Sequence, residues 1–279
     1  MLEDSTNRLK IAFIGDIVGR PGRKIIKENL SELRELHQID FVIANGENAS
    51  HGFGLTVKNA NELFNTGIDL ITGGNHSWDK NEIIDYMQVN PNHSIIRPLN
   101  FLNNSPGRGY KIFDHSNGKK ILVCQIHTKL FINLPLNDPF QCLDTEIISL
   151  LEAGKADYSF LEVHGEATSE KNGIGQHYDG KFTGIYGTHT HIPTADARVL
   201  AKGTAFKTDI GMTGDYESII GMKKESAIKR MRTGMNSNRL EPADGEATIS
   251  GIIIKKDIEN SSTTIQSILI GGILNREVF

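Results

Sequence analysis

Seven side chains able to bind a metal, and one able to move a proton, stand immediately after short apolar runs. Asp16 follows Ile11-Ala12-Phe13-Ile14-Gly15, Glu47 and Asn48 follow Phe41-Val42-Ile43-Ala44-Asn45-Gly46, and Asn75 and His76 follow Leu70-Ile71-Thr72-Gly73-Gly74. His164 closes the run Tyr158-Ser159-Phe160-Leu161-Glu162-Val163, and His189 and His191 follow Phe182-Thr183-Gly184-Ile185-Tyr186. Such runs read as buried strands, and strand carboxyl ends are where α/β proteins assemble active sites. Singly, each residue has a plain explanation: Asp16 as a helix cap, Glu47-Asn48 as turn chemistry, Asn75-His76 as a cap, His164 as a satisfied core histidine. His189 and His191 are harder to dismiss, because alternate residues of an extended segment face the same way. If the strands belong to one sheet, their ends converge. Two carboxylates, three imidazoles and two amide oxygens, without a thiolate, form a mixed set suited to Mn, Fe, Zn or Ni rather than to structural zinc. The pattern predicts a dinuclear metal enzyme. Two divalent cations against Asp16 and Glu47 leave a charge of about +2, which suits an anionic substrate and displacement at phosphorus.

The bulk properties are compatible with this and exclude several classes. At 279 residues, 38% of them hydrophobic, the chain can bury a full α/β sheet. A net charge of −4 provides no electrostatic footprint for duplex nucleic acid. Cys124 and Cys142 are too few for a disulfide framework and read as reduced structural thiols. No apolar run approaches the ~18 residues of a membrane span. The polar, acidic start Met1-Leu2-Glu3-Asp4-Ser5-Thr6-Asn7 is unlike a signal peptide, so a cytoplasmic protein without a membrane partner is expected.

The elements that must position these residues alternate through the first two thirds. Strands are expected at Leu9–Gly15, Phe41–Ala44, Asp69–Thr72, Ile121–Ile126, Tyr158–Val163 and Phe182–Tyr186. Helices are expected from Pro21, over Thr56–Asn65, over Lys80–Met87 and near Leu143–Glu152. The last third turns β-rich, at Thr204–Ile210, Thr248–Lys255 and Thr263–Ile270, with one helix near Lys224–Arg232. Alternation followed by strands predicts an α/β fold, a four-layer α/β/β/α sandwich of two mixed sheets. Without an internal repeat or linker, residues 9–279 read as one domain behind a flexible tail, 1–8.

The order Asp16, then Glu47-Asn48, then Gly74-Asn75-His76-Ser77-Trp78-Asp79, then His164-Gly165-Glu166, then Gly187-Thr188-His189-Thr190-His191 resembles the calcineurin-like metallophosphoesterase superfamily. More narrowly it resembles the bacterial YmdB-like phosphodiesterases, with Phe13–Gly22, Thr194-Ala195-Asp196 and Thr208–Gly214 matching too. The chain departs from the broad superfamily at Val18, where a histidine is usual, and at Gly46-Glu47-Asn48, where Gly-Asp is usual; the narrower family shares this swap. His127-Thr128-Lys129-Leu130 stands where relatives tend to carry a different polar and basic run, which puts any substrate contact there in doubt.

The resemblance implies one metal held by Asp16, Glu47, Asn48 and His191 and a second by Glu47, Asn75, His164 and His189, with Glu47 bridging and Asn48 standing in for the missing imidazole. It implies two metal ions per chain, Fe or Mn ahead of Zn. His76 becomes the general acid. The implied activity is hydrolysis of cyclic nucleotides, 2′,3′-cyclic ones ahead of 3′,5′-cyclic ones, by in-line attack of a metal-bridging hydroxide. A 5′-nucleotidase-like phosphomonoesterase and a non-catalytic regulatory scaffold associated with RNA or a protein are the alternatives. His51 is a substrate-contact candidate or a loop histidine, and Trp78 reads as core. The resemblance also allows a homo-oligomer, but no apolar stripe here marks an interface.

Overall fold

The computed structural model describes residues 8–235 and 240–274. The first half runs β1 (Arg8–Ile14), β2 (Asp16–Ile17), α1 (Gly19–His37), β3 (Phe41–Asn45), α2 (Val57–Asn65), β4 (Leu70–Thr72), α3 (Asn81–Val89), β5 (Ile95–Ile96), β6 (Tyr110–Asp114) and β7 (Lys120–His127). A continuous helical stretch follows: α4 (Pro139–Cys142), a π-helical turn (Leu143–Ile148) and α5 (Ser149–Glu152). Then come β8 (Tyr158–His164), α6 (Thr168–His177), β9 (Gly184–Thr188), β10 (Arg198–Val199), β11 (Ala205–Lys207), β12 (Met212–Asp215), α7 (Lys224–Thr233), β13 (Ala247–Asp257) and β14 (Ser262–Ile270).

These elements build two mixed sheets. One has eight strands in the order β2-β12-β13-β1-β3-β4-β5, with β14 on β13; the other has six, β10-β11-β9-β8-β7-β6. Pairing is parallel along β1-β3-β4-β5 and along β7-β8-β9-β11, and antiparallel at β1-β13 and β6-β7. Strand alternation sorts the core into three packed zones. Ile11 and Phe13 of β1 meet Val123, Phe160 and Tyr186 between the sheets. Their neighbours Ala12 and Ile14 face Ile26 and Leu30 of α1 and Leu63 of α2. On the far side, Leu122, Leu161 and Ile185 pack on Leu143, Ile147 and Ile174. Helices, sheet, sheet, helices: the four-layer sandwich is the observed architecture. Strands buried on both faces read as unbroken apolar runs, which is why these were legible.

Local chemistry sets the boundaries. Thr56 caps α2 by accepting from the Asn59 N–H at 3.2 Å, a contact of about 1 kcal/mol in kind. α1 opens at Gly19, two residues before the expected Pro21, and a Cβ on Gly22 would stand 2.3 Å from the Thr213 carbonyl oxygen. The glycine lets α1 lie against β12. Arg8 opens β1 rather than belonging to the tail expected over 1–8; the rest of that tail lies outside the described residues. The helix expected near Leu143 begins earlier, at Pro139, capped by Asp138. Three larger elements escaped the pattern: α6, which carries Gly173, Gly175 and the buried Lys171 where an apolar stripe belongs, and the strands β6 and β12. Among the described residues, no helix is long and apolar enough to cross a membrane.

Candidate metal centre

The carboxyl ends of β1, β3 and β4 meet those of β8 and β9 at one rim of the sandwich. Glu47 Oε1 lies 3.0 Å from His164 Nε2, which is also 3.0 Å from Asn75 Oδ1 and 3.2 Å from His189 Nδ1. Asn48 Nδ2 reaches His191 Nε2 at 3.1 Å and Glu47 Oε1 at 3.4 Å, and Asp16 Oδ2 accepts the His189 N–H at 3.1 Å. The His76 N–H donates to Glu47 Oε2 at 2.9 Å. All eight residues singled out in the sequence are thus joined in one chain of contacts. One atom each of Glu47, His164 and His189 lies within 4.8 Å of the others, a group able to hold a metal ion.

Each imidazole has its second nitrogen occupied. His164 Nδ1 donates to Thr188 Oγ1 at 2.8 Å, and that hydroxyl donates to Glu162 Oε1 at 2.8 Å. His191 Nδ1 donates to the Ile220 carbonyl at 2.8 Å, and His189 Nε2 faces Glu166 Oε2 at 3.4 Å. Such outer partners choose the tautomer and aim the remaining nitrogen inward. Glu162 is itself held by Asn45 Nδ2, Gln125 Nε2 and the Tyr186 hydroxyl at 2.8, 2.8 and 3.0 Å, all of them buried.

The electrostatics fit a cation. Burial pushes the Asp16 carboxyl up to about 6 against the pull of His191 and His164, and its Oδ1 is buried with no hydrogen-bond partner among the described residues. Burial works against the charged forms of Glu47 and His164, but their mutual attraction outweighs it. Glu47 stays well below the usual carboxylate range and His164 rises to about 9. That pair shares a proton whose place a divalent ion can take. Burial and the His164 charge push His189 down to about 2, leaving a neutral ring with a free lone pair. The space is tight, since a Cβ on Gly74 would stand 2.1 Å from Glu47 Oε2 and 2.5 Å from His164 Nε2. One detail is specific to Asn48: it turns its amide nitrogen to His191, so it would ligate only with the amide turned over.

Three expectations need correction or extension. His189 and His191 do not share a face of an extended segment. Both are left-handed, with φ of 95° and 66°, and the twisted loop sends one ring to His164 and the other to Asn48. His127, on the segment set aside as doubtful, is fully buried with its ring centroid 5.2 Å from that of His164. Its Nδ1 is bonded to the Thr128 carbonyl at 2.6 Å, and burial and the neighbouring His164 push it down to about 4, so it packs here as a neutral ring. Glu162, Thr188 and Gln125 were missed, although period-two spacing from His164 puts Glu162 on the same face of β8. His51 is exposed, and Trp78 is partly buried against the helical side of the core.

His76 stands at the rim. Its Nδ1 is 2.8 Å from Asp79 Oδ2, and its ring lies 5.0 Å from that of Phe53, edge on. The side chain keeps 28% of its surface exposed, which leaves Nε2 the nitrogen available to a substrate.

The chain is similar to several known proteins along most of its length. A 2′,3′-cyclic-nucleotide 2′-phosphodiesterase of Bacillus subtilis (strain 168) is 45% identical over 264 residues, covering 94% of this chain and 97% of that protein. A crystal structure of a hypothetical protein from Thermus thermophilus superposes with a TM-score of 0.86 at 37% identity, covering 95% of this chain and 100% of the other. A novel phosphatase from Mycoplasma pneumoniae does so with a TM-score of 0.86 at 33% identity, covering 95% and 94%. The model of the YmdB-like protein family matches residues 12–268, and the chain belongs to that family.

Proposed function

We propose that this protein is a phosphodiesterase that uses two metal ions to open 2′,3′-cyclic nucleotides to monoesters. The observation that carries the reading is the convergence of Glu47, His164 and His189 donor atoms within 4.8 Å, in a chain 45% identical to a relative named for that reaction. Asp16, Glu47, Asn48 and His191 would hold one ion, and Glu47, Asn75, His164 and His189 the other; Fe and Mn suit this donor set, with Zn third. When bound, the ions supply Lewis acidity at phosphorus and a water acidic enough to attack at neutral pH.

The chain's own residues supply the rest. His76 holds a proton at Nε2 for the departing ribose oxygen, while Asp79 at Nδ1 and the edge of Phe53 restrain its ring. The bond from its own N–H to Glu47 fixes the height of the ring above the metal ligands. Thr188 and Glu162 keep the His164 ring turned so that Nε2 faces inward. The charge balance favours diesters weakly, because a diester monoanion together with the attacking hydroxide would match the charge of about +2 left by two divalent ions and two carboxylates, whereas a monoester dianion with hydroxide would exceed it.

The test is a hydrolysis panel with protein reconstituted in Mn(II) or Fe(II). It should open 2′,3′-cyclic AMP and GMP and stop, releasing little free phosphate. Rapid phosphate release from nucleoside monophosphates, with cyclic nucleotides untouched, would assign the protein as a nucleotidase.

A further inference from the structure

The proposed reaction makes no use of an ion pair sealed inside the second sheet's helical side. Lys171 of α6 and Asp209 have side chains 1% and 0% exposed, with Lys171 Nζ 2.7 Å from Asp209 Oδ2. Lys171 Nζ also donates to the Thr188 carbonyl at 2.7 Å. Asp209 accepts from the Thr190 N–H at 3.2 Å through Oδ2 and from the Gly211 N–H at 2.8 Å through Oδ1. The pair therefore grips the backbone on both sides of His189, at the residue before it and the residue after it. The lysine stem crosses Gly187 so closely that a Cβ there would stand 2.8 Å from Lys171 Cδ and 1.8 Å from the Thr208 carbonyl oxygen.

The gripped loop is strained. His189 and His191 both lie in the left-handed region, which residues with a side chain occupy only when their surroundings hold them there. A buried ion pair adds little stability over an apolar pair of similar volume, so what it contributes is geometry.

We propose that Lys171 and Asp209 are positioning residues for the metal centre. They hold the 188–191 loop in the conformation that turns His189 Nδ1 toward one half of the centre and His191 Nε2 toward the other. This rests on the two-metal reading above.

The test compares Mn(II) binding by calorimetry with thermal unfolding of the chelator-stripped full chain. Three variants are needed: Lys171→Met, the neutral pair Lys171→Met/Asp209→Asn, and Ile147→Ala as a destabilised control in the helical layer. The neutral pair leaves no uncompensated charge, yet an Asn at 209 cannot accept from both Thr190 and Gly211. Both Lys171 variants should weaken Mn(II) binding at both sites by about 10–100-fold, the range for loss of outer-shell support. The control should unfold earlier and bind Mn(II) as tightly as wild type. Variants that bind like wild type, or a control weakened as much as they are, would overturn the positioning role alone. A wild type that binds no divalent metal would overturn the metal reading and this role with it.

Discussion

The two sheets bring different chemistry to the rim, and they support it differently. The eight-stranded sheet contributes oxygen donors, Asp16 at the start of β2 and Glu47, Asn48 and Asn75 on the turns after β3 and β4. The six-stranded sheet contributes imidazoles, His164, His189 and His191. The first set needs little scaffolding: Glu47 is placed by N–H donors of its own chain, from His76 to its carboxylate and from its backbone to Asn45 Oδ1 at 3.1 Å. The second set stands on a buried polar layer of Thr188, Glu162, Gln125, Lys171 and Asp209. The reason is chemical. A carboxylate presents two equivalent oxygens, whereas an imidazole presents two nitrogens of opposite character, and only a partner at one decides what the other does.

The largest effect should come from Glu47, the point where the two sets touch. Glu47→Gln should remove both metals, measured by elemental analysis of protein purified without chelator, and reduce 2′,3′-cyclic AMP hydrolysis to background. Retention of one full equivalent would show that Glu47 does not bridge.

His76 belongs to neither set of proposed ligands, so its loss should separate chemistry from metal binding. His76→Ala should lower kcat by about 10²–10⁴-fold with metal content intact. The loss should shrink on a p-nitrophenyl phosphodiester, whose leaving group needs no proton. An equal loss on both substrates would make His76 a positioning residue.

The contrast between the sheets is sharpest in a pair of milder variants. Thr188→Val deletes the hydroxyl that orients His164 without touching a ligand, and should weaken metal binding about 10–100-fold. Asn48→Ala deletes a proposed first-sheet ligand whose side chain bonds Glu47 and His191, and should weaken the site shared with Asp16 while sparing the other. Equal loss of both metals from Asn48→Ala would erase the division.

The smallest effect lies in the support behind the second set. Asp196 binds Thr194 and Thr208, and the Thr208 carbonyl sits over Gly187. Burial opposes ionisation of Asp196, but hydrogen bonds from Thr194, Thr208 and Arg198 outweigh it and hold its carboxyl down to about 2, below the ordinary 3.8. Its contribution is therefore complete above pH 3.8 and disappears as pH falls toward 2. Asp196→Asn should flatten the Tm profile across that window and leave the neutral-pH slope unchanged; an unaltered acid limb would assign the stabilisation elsewhere. Because the group is partly exposed, the shift should be modest.

The first sheet was largely legible in the sequence, because its strands are continuous apolar runs and its candidate donors follow within a few residues. The support of the second sheet was not. Lys171 interrupts α6 where a hydrophobic stripe belongs, and Gly175 reads as a helix breaker, although a Cβ there would stand 2.3 Å from the Phe206 ring. His127 stood on a segment without a motif, and only its burial against His164 gives it a place beside the centre.

What the sequence determined by itself is which candidate donors follow the strands, and the layered fold, because side-chain period and strand burial leave their mark residue by residue. Only the tertiary structure decided how the donors are aimed. Aim depends on bonds between residues far apart in the chain, such as Lys171 to Asp209 and His191 to Ile220, and on two histidines twisted into the left-handed region. Local sequence favours neither that twist nor those pairings. The packed sandwich imposes both.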